Sequence, residues 1–344
     1  MSNLALLHAP HAGHPPLLDE ADRAVFLQES IDLFTRKKQG HLIHRCYLTP
    51  EALEYAGVWT ARKESYAKAG ELCVIPTTGS SISDLARHHF GTVGLENGPG
   101  MTSAMLDKSV PFFSRLAGLH TWVGRDLSPS SIDIMKEVMG GALPNVRIIP
   151  DLADFQRAAY PKGLPKGRKV LAEFGLTRGN MQGFPEDGFP YHTLVEDMLA
   201  HASRLDSGDI YTYTFDCNQN GSEVERSYNS DETTMWGREL FRAMQSELAE
   251  HITGDFDPNS FSFKDVWVAS AHGGFNYMVA DRTMKFEIAG IPVTAHKGEA
   301  QFGITNSFKQ PLEITEQLAI DTDYRMKMHL SADRRIAQPA FIRS

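Results

Sequence analysis

The stretch His89–Leu106, HFGTVGLENGPGMTSAML, decides the fold class. Its apolar residues lead into Glu96, and the turn Gly98-Pro99-Gly100 follows before a run that can open a helix. Glycines let a backbone approach a ligand closely, because no side chain stands in the way. A strand, a glycine turn and a helix in this order are typical of α/β proteins that hold a nucleotide. The stretch therefore predicts a nucleotide-binding βα unit.

Four further apolar runs follow this unit, and each ends in turn signals. They are HTWVGRDLSPS, NVRIIPDLADF, KVLAEFGLTRGN and DIYTYTFDC, and helical stretches alternate with them. Strands that alternate with helices form βα units and a largely parallel sheet. We therefore predict an α/β fold built on a Rossmann-like sheet.

The pattern differs on either side of these runs. Helical periodicity extends from about residue 20 to 69, and Thr49-Pro50-Glu51 predicts a helix start within it. After Cys217 come helical residues 223–250, strand-like residues 261–301, and a last stretch that reads helix, strand, strand. The predicted organisation is an N-terminal arm with helices of a substrate-binding domain at 1–75, a cofactor-binding core at 76–216, a substrate-binding insertion at 217–310, and a C-terminal completion of the core sheet at 311–344.

Composition excludes several classes of function. The 344 residues carry a formal charge of −9, whereas a nucleic-acid protein needs a basic face. No apolar run is long enough to span a membrane, and the N-terminus lacks the pattern of a signal peptide. The spacing of the three cysteines fits neither a disulfide framework nor a zinc site. We expect a cytoplasmic protein, a monomer or homodimer, that binds no metal, nucleic acid or membrane.

The glycine turn could belong to any of three types of nucleotide-binding loop. A dinucleotide loop needs a third glycine where this chain has Ser103, and a P-loop needs a Gly-Lys-Ser/Thr sequence that is absent here. An S-adenosylmethionine loop needs an acid before the glycines and a second acid after the next strand, where ribose hydroxyls require an acceptor. Glu96 and Asp126 occupy these places, and Asp154-Phe155 follows the third run, where a polar group and an aromatic ring suit adenine. This order favours S-adenosylmethionine over a nicotinamide cofactor.

At this point the chain resembles the histidine-specific, S-adenosylmethionine-dependent N-methyltransferase family. That family includes the ergothioneine-pathway histidine Nα-methyltransferases and the fungal dimethylallyltryptophan N-methyltransferases. LENGPG stands where the family has an E-L-G-S-G-like loop, GRDLSPS where it has D-x-S, FGLTRGN where it has G-x-T-x-G-N, and NSFK where it has N-S-Y-K. The resemblance runs from about Tyr66 to the C-terminus. It implies a Rossmann-like class I methyltransferase sheet with a second, substrate-binding domain.

The resemblance also implies a set of site residues. Asn180 would hold the α-amino-acid group of the substrate and Tyr228 would help to grip its carboxylate, so these two are the predicted catalytic residues. Tyr66, Ser307 and Met278 would border the substrate pocket. The predicted cofactor residues are Glu96, Gly98, Gly100, Asp126, Leu127, Ser128, Asp154, Phe155, Phe174 and Gly175.

Three departures from the family pattern bear on the substrate. Thr305 stands where histidine-specific members have a glutamate, which removes the carboxylate expected to hold an imidazole N–H. Lys68 and Glu71 only approximate a Y-x-x-R-x-E motif. Arg178 replaces a loop isoleucine and adds a positive charge, so we place it with Thr305 among the predicted substrate residues.

These observations lead to one functional prediction. We expect an S-adenosylmethionine-dependent N-methyltransferase that acts on the amine of a small amino acid or amino-acid-derived metabolite, with free histidine not the preferred acceptor. Two alternatives stay open at this point. One is an NAD-dependent oxidoreductase with a Rossmann sheet, and the other is a catalytically silent protein that binds S-adenosylmethionine.

Overall fold

The structure is a computed structural model, and it describes residues 18–47, 49–60, 65–126, 129–153 and 160–344. The helices are α1 (Glu20–Phe34), α2 (Pro50–Thr60), α3 (Tyr66–Ala86), α4 (Thr102–Ala104), α5 (Val110–Phe113), α6 (Pro129–Ala142), α7 (Tyr191–Ala202), α8 (Gly221–Tyr228), α9 (Asp231–Glu247) and α10 (Leu312–Asp321). The strands are β1 (Thr92–Asn97), β2 (Leu119–Asp126), β3 (Arg147–Leu152), β4 (Arg168–Glu173), β5 (Ile210–Tyr213), β6 (Phe215–Asp216), β7 (Ile252–Gly254), β8 (Phe261–Val268), β9 (Gly273–Ala280), β10 (Met284–Ile288), β11 (Ile291–Ala295), β12 (Ala300–Phe308), β13 (Tyr324–Leu330) and β14 (Ile336–Arg343).

The main sheet has the strand order β13-β14-β5-β4-β1-β2-β3, and β6 also pairs with β14. Strands β1 to β5 are parallel, whereas β14 is antiparallel to both β5 and β13. All five runs that the sequence predicted as strands are strands of this sheet. The predicted α/β fold, built on a largely parallel Rossmann-like sheet, is confirmed.

Helices cover both faces of the sheet. On one face α3, α5 and α6 pack against apolar side chains of β2, β4 and β14. On the other face α7 and α10 pack against side chains of β1, β4 and β5. A parallel sheet covered on both sides needs strands that are apolar on both faces, which explains why all six residues of β1 are buried.

The helical region before the sheet is divided differently from the predicted pattern. Helix α2 begins at Pro50, and the Thr49 hydroxyl accepts a hydrogen bond from the Ala52 N–H at 3.0 Å, so the predicted helix start is confirmed. The periodic stretch that follows contains two helices, because α2 ends at Thr60 and α3 begins at Tyr66. The predicted domain boundary at residue 75 lies inside α3.

The chain divides into two compact units. The first, called here the sheet unit, comprises Thr60–Ser227, Trp267–Gly274 and Asn306–Ser344. The second unit comprises Met1–Trp59, Tyr228–Val266 and Phe275–Thr305, as far as these residues are described. Its core is rich in phenylalanine and draws on α1, α9 and strands β8 to β12. Within the described ranges, no helix combines the length and apolar character needed to span a membrane.

Candidate active site at the carboxyl edge of the sheet

The glycine turn lies at the carboxyl end of β1, in the middle of the sheet. Its first amide, the N–H of Gly98, donates to the carbonyl of Arg125 at the end of β2, at 2.8 Å. Gly98 and Gly100 have φ angles of 64° and 75°, in the left-handed region that favours glycine. The turn is thus fixed between two strand ends, where ligands of open α/β sheets bind.

Glu96 lies beside this turn with only 1% of its surface exposed. Its Oε1 accepts from the Ser109 hydroxyl at 2.7 Å, whereas its Oε2 has no hydrogen-bond partner. Burial raises the pKa of Glu96 to about 8, although Ser109, Trp122 and Lys108 lower it. The carboxyl is therefore largely protonated at neutral pH. A ligand that brings a donor or a positive charge to the unpartnered oxygen would favour loss of this proton, so the site fits such a ligand.

Asp126 ends β2 at the same edge and is half-buried. Its carbonyl accepts from the Ala153 N–H at 3.1 Å, which ties the ends of β2 and β3 together. The structure therefore places Glu96, the glycine turn and Asp126 together on adjacent strand ends. Four other predicted cofactor residues lie outside the described residues: Leu127, Ser128, Asp154 and Phe155.

The loop after β4 begins with the remaining two predicted cofactor residues. Phe174 is buried among α5 residues, and Gly175 has a φ angle of 84°. The N–H of Gly175 donates to Glu71 Oε1 at 2.7 Å, and Glu71 Oε2 lies 2.7 Å from Lys108 Nζ. Glu71 thus holds this loop to the segment that follows the glycine turn. The sequence had treated Glu71 only as an approximate match to a family acid.

Arg178 occupies an internal position rather than presenting a free charge. Its Nε donates to the Tyr211 hydroxyl at 2.7 Å and lies 3.1 Å from Glu173 Oε2, and its Nη1 contacts Asp197. Burial would lower its pKa, but Tyr211, Glu173 and Asp197 raise it. Two carboxylates of the sheet unit, Glu173 and Asp197, thus pair with this charge, and a substrate contact for Arg178 stays a prediction.

Asn180 ends the same loop and is half-buried. Its N–H donates to the Thr177 carbonyl at 3.0 Å, closing the single 3₁₀ turn Thr177–Gly179. A Cβ on Gly179 would approach the Phe308 carbonyl to 2.7 Å, so the backbone there passes close to the end of β12. The turn therefore fixes the backbone that carries the predicted catalytic amide.

Two predicted substrate residues are joined by a buried polar chain. The Tyr66 hydroxyl donates to Asp216 Oδ2 at 2.6 Å, and Lys309 Nζ lies 3.0 Å from the same oxygen. Lys309 also donates to the Ser307 hydroxyl at 2.8 Å. Lys309 is 1% exposed and Asp216 3%, so the pair is desolvated and mutually neutralised. The structure thus brings Tyr66 and Ser307 together through Asp216 and Lys309.

The other three predicted substrate residues belong to the second unit. Tyr228 ends α8 and packs on the phenylalanine-rich core. Met278 is wholly buried in that core, and its sulfur lies 2.4 Å from where a Cβ on Gly237 would stand. Thr305 lies on β12 and is 3% exposed. Met278 packs as a core residue, and a substrate contact for it stays a prediction.

Sequence reasoning missed the groups that support these residues. Asp216 lies near the end of the fifth predicted run, so its place at a strand end was the signal that could have identified it. Lys309 belongs to the quoted NSFK motif but was given no role. Among the described residues, no group of three or more His, Cys, Asp or Glu side chains could hold a metal ion.

The chain is distantly similar to several solved structures that are described as methyltransferases. One is an S-adenosylmethionine-dependent methyltransferase from Clostridium acetobutylicum (8% identity, 84% of this chain and 97% of that chain, TM-score 0.44). Others are the CcbJ methyltransferase of Streptomyces caelestis (13%, 78% and 94%, 0.41) and an amino pentose methyltransferase, CalS10, of Micromonospora echinaspora (11%, 85% and 97%, 0.40). All three TM-scores are below 0.5, so the similarity is distant. Comparison with curated protein sequences found no match.

A family model describes the chain more directly. The model of the histidine-specific, S-adenosylmethionine-dependent methyltransferases matches residues 57–341, which is most of the chain. The match covers the glycine turn, the loop after β4 and the buried chain from Tyr66 to Ser307. The protein is thus an S-adenosylmethionine-dependent methyltransferase, and it belongs to the histidine-specific methyltransferase family.

Proposed function

We propose that the protein transfers a methyl group to the amine of a small amino acid or amino-acid-derived metabolite, and that free histidine is not its preferred acceptor. The observation that carries the proposal is the buried chain Tyr66–Asp216–Lys309–Ser307. It joins two residues that the family resemblance assigns to the substrate. Such a neutralised polar chain presents fixed hydrogen-bonding groups, which suits a small polar head group.

The cofactor site fits the expected group. When bound, S-adenosylmethionine supplies a methyl group on a sulfonium that is already electrophilic. We propose that Glu96, Gly98, Gly100 and Asp126 hold it at the carboxyl edge of the sheet. The remaining task of the protein is to hold an amine in line with that methyl group and to exclude water.

We assign the orientation of the acceptor to Asn180 and Tyr228. A carboxamide offers both a donor and an acceptor, and a phenol offers a hydroxyl that can do either. Each of these groups can bind a polar atom of an α-amino-acid head without using the lone pair of the amine. Arg178 supports the position of Asn180, because its buried ion pairs with Glu173 and Asp197 hold the loop that carries Asn180.

Thr305 supports the exclusion of histidine as the preferred acceptor. A carboxylate that binds an imidazole N–H forms a charge-assisted hydrogen bond worth about 1.5–3 kcal/mol. A buried threonine hydroxyl can accept from the same ring only as a neutral partner. Since about 1.4 kcal/mol corresponds to a factor of ten, the loss costs roughly one to two orders of magnitude in preference for histidine.

The test compares acceptors by mass spectrometry. The purified protein is incubated with S-adenosylmethionine and with L-histidine, L-tryptophan, L-tyrosine or a metabolite extract, and products heavier by one methyl group are quantified and fragmented. We expect a methylated amine, with histidine slower than the best acceptor. Histidine as the best acceptor by about tenfold would contradict the argument from Thr305. Methyl on oxygen, or no methylated product, would contradict N-methylation.

Two variants separate binding of the acceptor from binding of the cofactor. We expect Asn180→Ala and Tyr228→Phe to reduce methyl transfer while affinity for S-adenosylmethionine stays nearly unchanged. Asn145→Ala, in the exposed turn before β3, is the matched control and should leave both unchanged. An equal loss of cofactor affinity in both test variants would instead indicate a role in folding.

The setting of this reaction is also a proposal. The net charge of −9 supports small-molecule acceptors over nucleic acid, and we propose a cytoplasmic monomer or homodimer that does not act at membranes. Size-exclusion chromatography with light scattering measures the oligomeric state, and a stable assembly larger than a dimer would contradict it. Cell fractionation tests the compartment.

A further inference from the structure

A row of polar side chains crosses the sheet just below its carboxyl edge. In register, Asn97 of β1 lies beside Arg125 of β2 and Glu173 of β4, and Arg125 lies beside Asp151 of β3. Alternate residues of a strand share a face, so this row faces away from Glu96. Within this row Arg125 forms an ion pair with Asp151 at 2.8 Å, and Asn97 forms a hydrogen bond with Glu173.

Glu173 uses both of its oxygens. Oε1 accepts from the Asn97 amide at 2.7 Å, and Oε2 accepts from the Tyr211 hydroxyl at 2.8 Å and lies 3.1 Å from Arg178 Nε. Burial would raise the pKa of Glu173, but Arg178, His201 and the two hydrogen bonds hold it below the usual value. The carboxylate is therefore ionised at neutral pH and fully engaged.

Two partners of Glu173 connect it to the two loops of the candidate active site. Asn97 directly precedes the glycine turn, whose Gly98 N–H is bonded to the carbonyl of Arg125. Arg178 lies in the loop after β4, two residues before Asn180. One carboxylate thus contacts the start of the proposed cofactor loop and the middle of the loop that carries the proposed substrate residue.

The same two partners are departures from the family pattern quoted above. Asn97 stands where the E-L-G-S-G-like loop has leucine, and Arg178 stands where the second loop has isoleucine. Two apolar positions on different loops are therefore polar in this chain, and both side chains bind Glu173. Asn97 and Arg178 thus supply two of the partners that this buried carboxylate needs, because an unpaired buried charge is strongly destabilising.

We propose that Glu173 is a positioning residue that fixes the loop Phe174–Asn180 relative to the glycine turn, through its bonds to Asn97 and Arg178. When the bound cofactor orders the glycine turn, the bonds of Glu173 therefore also restrict the motion of the loop Phe174–Asn180. This assignment rests on methyl transfer by the family and does not depend on which amine is the acceptor.

The test uses S-adenosylhomocysteine as the probe and hydrogen–deuterium exchange as the readout. The reporter peptide covers residues 178–182, which contain the amides of Gly179 and Asn180 that close the 3₁₀ turn. In the parent protein we expect the probe to slow exchange in this peptide by about tenfold. In Glu173→Gln and in Asn97→Leu we expect the slowing to fall to about threefold or less, while calorimetry shows probe affinity within about threefold of the parent.

Asp209→Asn is the matched control. Asp209 is also a buried carboxylate with a cation partner, since it binds Lys169 Nζ at 3.2 Å, but it lies by the amino-terminal end of β4. We expect this variant to lose stability yet to keep the full effect of the probe on peptide 178–182. If Glu173→Gln does not fold, Asn97→Leu carries the test. No slowing in the parent, or full slowing in the variants, overturns the proposal. Failure of the acceptor screen to give an N-methylated product would contradict the proposed function but not this role of Glu173.

Discussion

The protonated carboxyl of Glu96 gives the sharpest test of the site geometry. The perturbation is Glu96→Gln, which keeps an oxygen for the Ser109 hydroxyl and removes the titratable group. Burial raises the pKa of Glu96 from 4.5 to about 8 in the folded protein, whereas the unfolded chain keeps the lower value. Between these two pH values the folded state binds about one proton more than the unfolded state.

The sign of the effect follows from this difference in bound protons. A group whose pKa is raised on folding contributes its full stability below the unfolded pKa and loses it as pH rises through the folded pKa. The contribution of Glu96 therefore falls by about 1.4 kcal/mol for each pH unit inside this window. From pH 5.5 to 7.5 the parent should lose about 2–3 kcal/mol relative to Glu96→Gln.

The assay is urea unfolding without cofactor. Unfolding of the sheet unit is monitored by hydrogen exchange of peptides from β1. Taking the difference between the two proteins cancels other titrating groups, such as His201, whose pKa is lowered by burial. Asn145→Ala should follow the parent at every pH. A difference between Glu96→Gln and the parent that does not change with pH would refute the reasoning, because Glu96 would then already be ionised in the folded state.

Three further predictions concern the loop and the substrate residues. Gly175→Ala forces a Cβ into a φ angle of 84°, so we expect a loss of about 1 kcal/mol in thermal unfolding, and an unchanged melting temperature would contradict the strain. Tyr66→Phe leaves Asp216 without one donor and should lower the free energy of unfolding by about 1–3 kcal/mol in urea. The control Tyr191→Phe loses a similar 2.6 Å bond at an exposed aspartate and should cost less. Equal losses in the two variants would argue against a buried chain. Thr305→Glu should raise kcat/KM for L-histidine relative to L-tryptophan by about tenfold, and no change would remove Thr305 from the specificity argument.

The sheet could be predicted from the sequence because its strands are short, apolar and separated by strong turn signals. Helices precede four of the five runs, those of β1, β2, β3 and β5, and burial on both faces of the sheet removes the need for alternation. The C-terminal stretch was read as helix, strand, strand, and α10, β13 and β14 are found there. The antiparallel position of β14 between β5 and β13 could not be predicted from the local sequence, because it depends on pairing between segments that are distant in the chain.

The extent of the N-terminal helices was harder to predict. Helical periodicity identifies an apolar face but does not say which body that face packs against. Helix α3 follows α2 closely in sequence, yet it belongs to the sheet unit, where a Cβ on Gly70 would collide with Ile336 of β14. The predicted boundary at residue 75 therefore falls inside one continuous helix.

The candidate site was predictable where function leaves a local pattern. The glycine turn and the acids at strand ends are such patterns, and Glu96 and Asp126 do lie at adjacent strand ends. The groups that support them are not local. Tyr66 and Asp216 are 150 residues apart, and Asn97 and Glu173 are 76 residues apart, so only the folded sheet brings them together.

Two carboxyls at one sheet edge show why residue type alone does not give a role. Glu96 is the penultimate residue of β1 and Glu173 is the last residue of the adjacent parallel strand β4, and both are buried, on opposite faces of the sheet. Glu173 has a guanidinium, an amide and a phenol as partners and is ionised, so its charge is committed to holding two loops. Burial raises the pKa of Glu96 to about 8, and its carboxyl has a hydroxyl partner on one oxygen and none on the other, so it keeps its proton at neutral pH. A cationic ligand at the glycine turn would favour ionisation of Glu96 and leave Glu173 unchanged, which is why we propose ligand binding for Glu96 and loop positioning for Glu173.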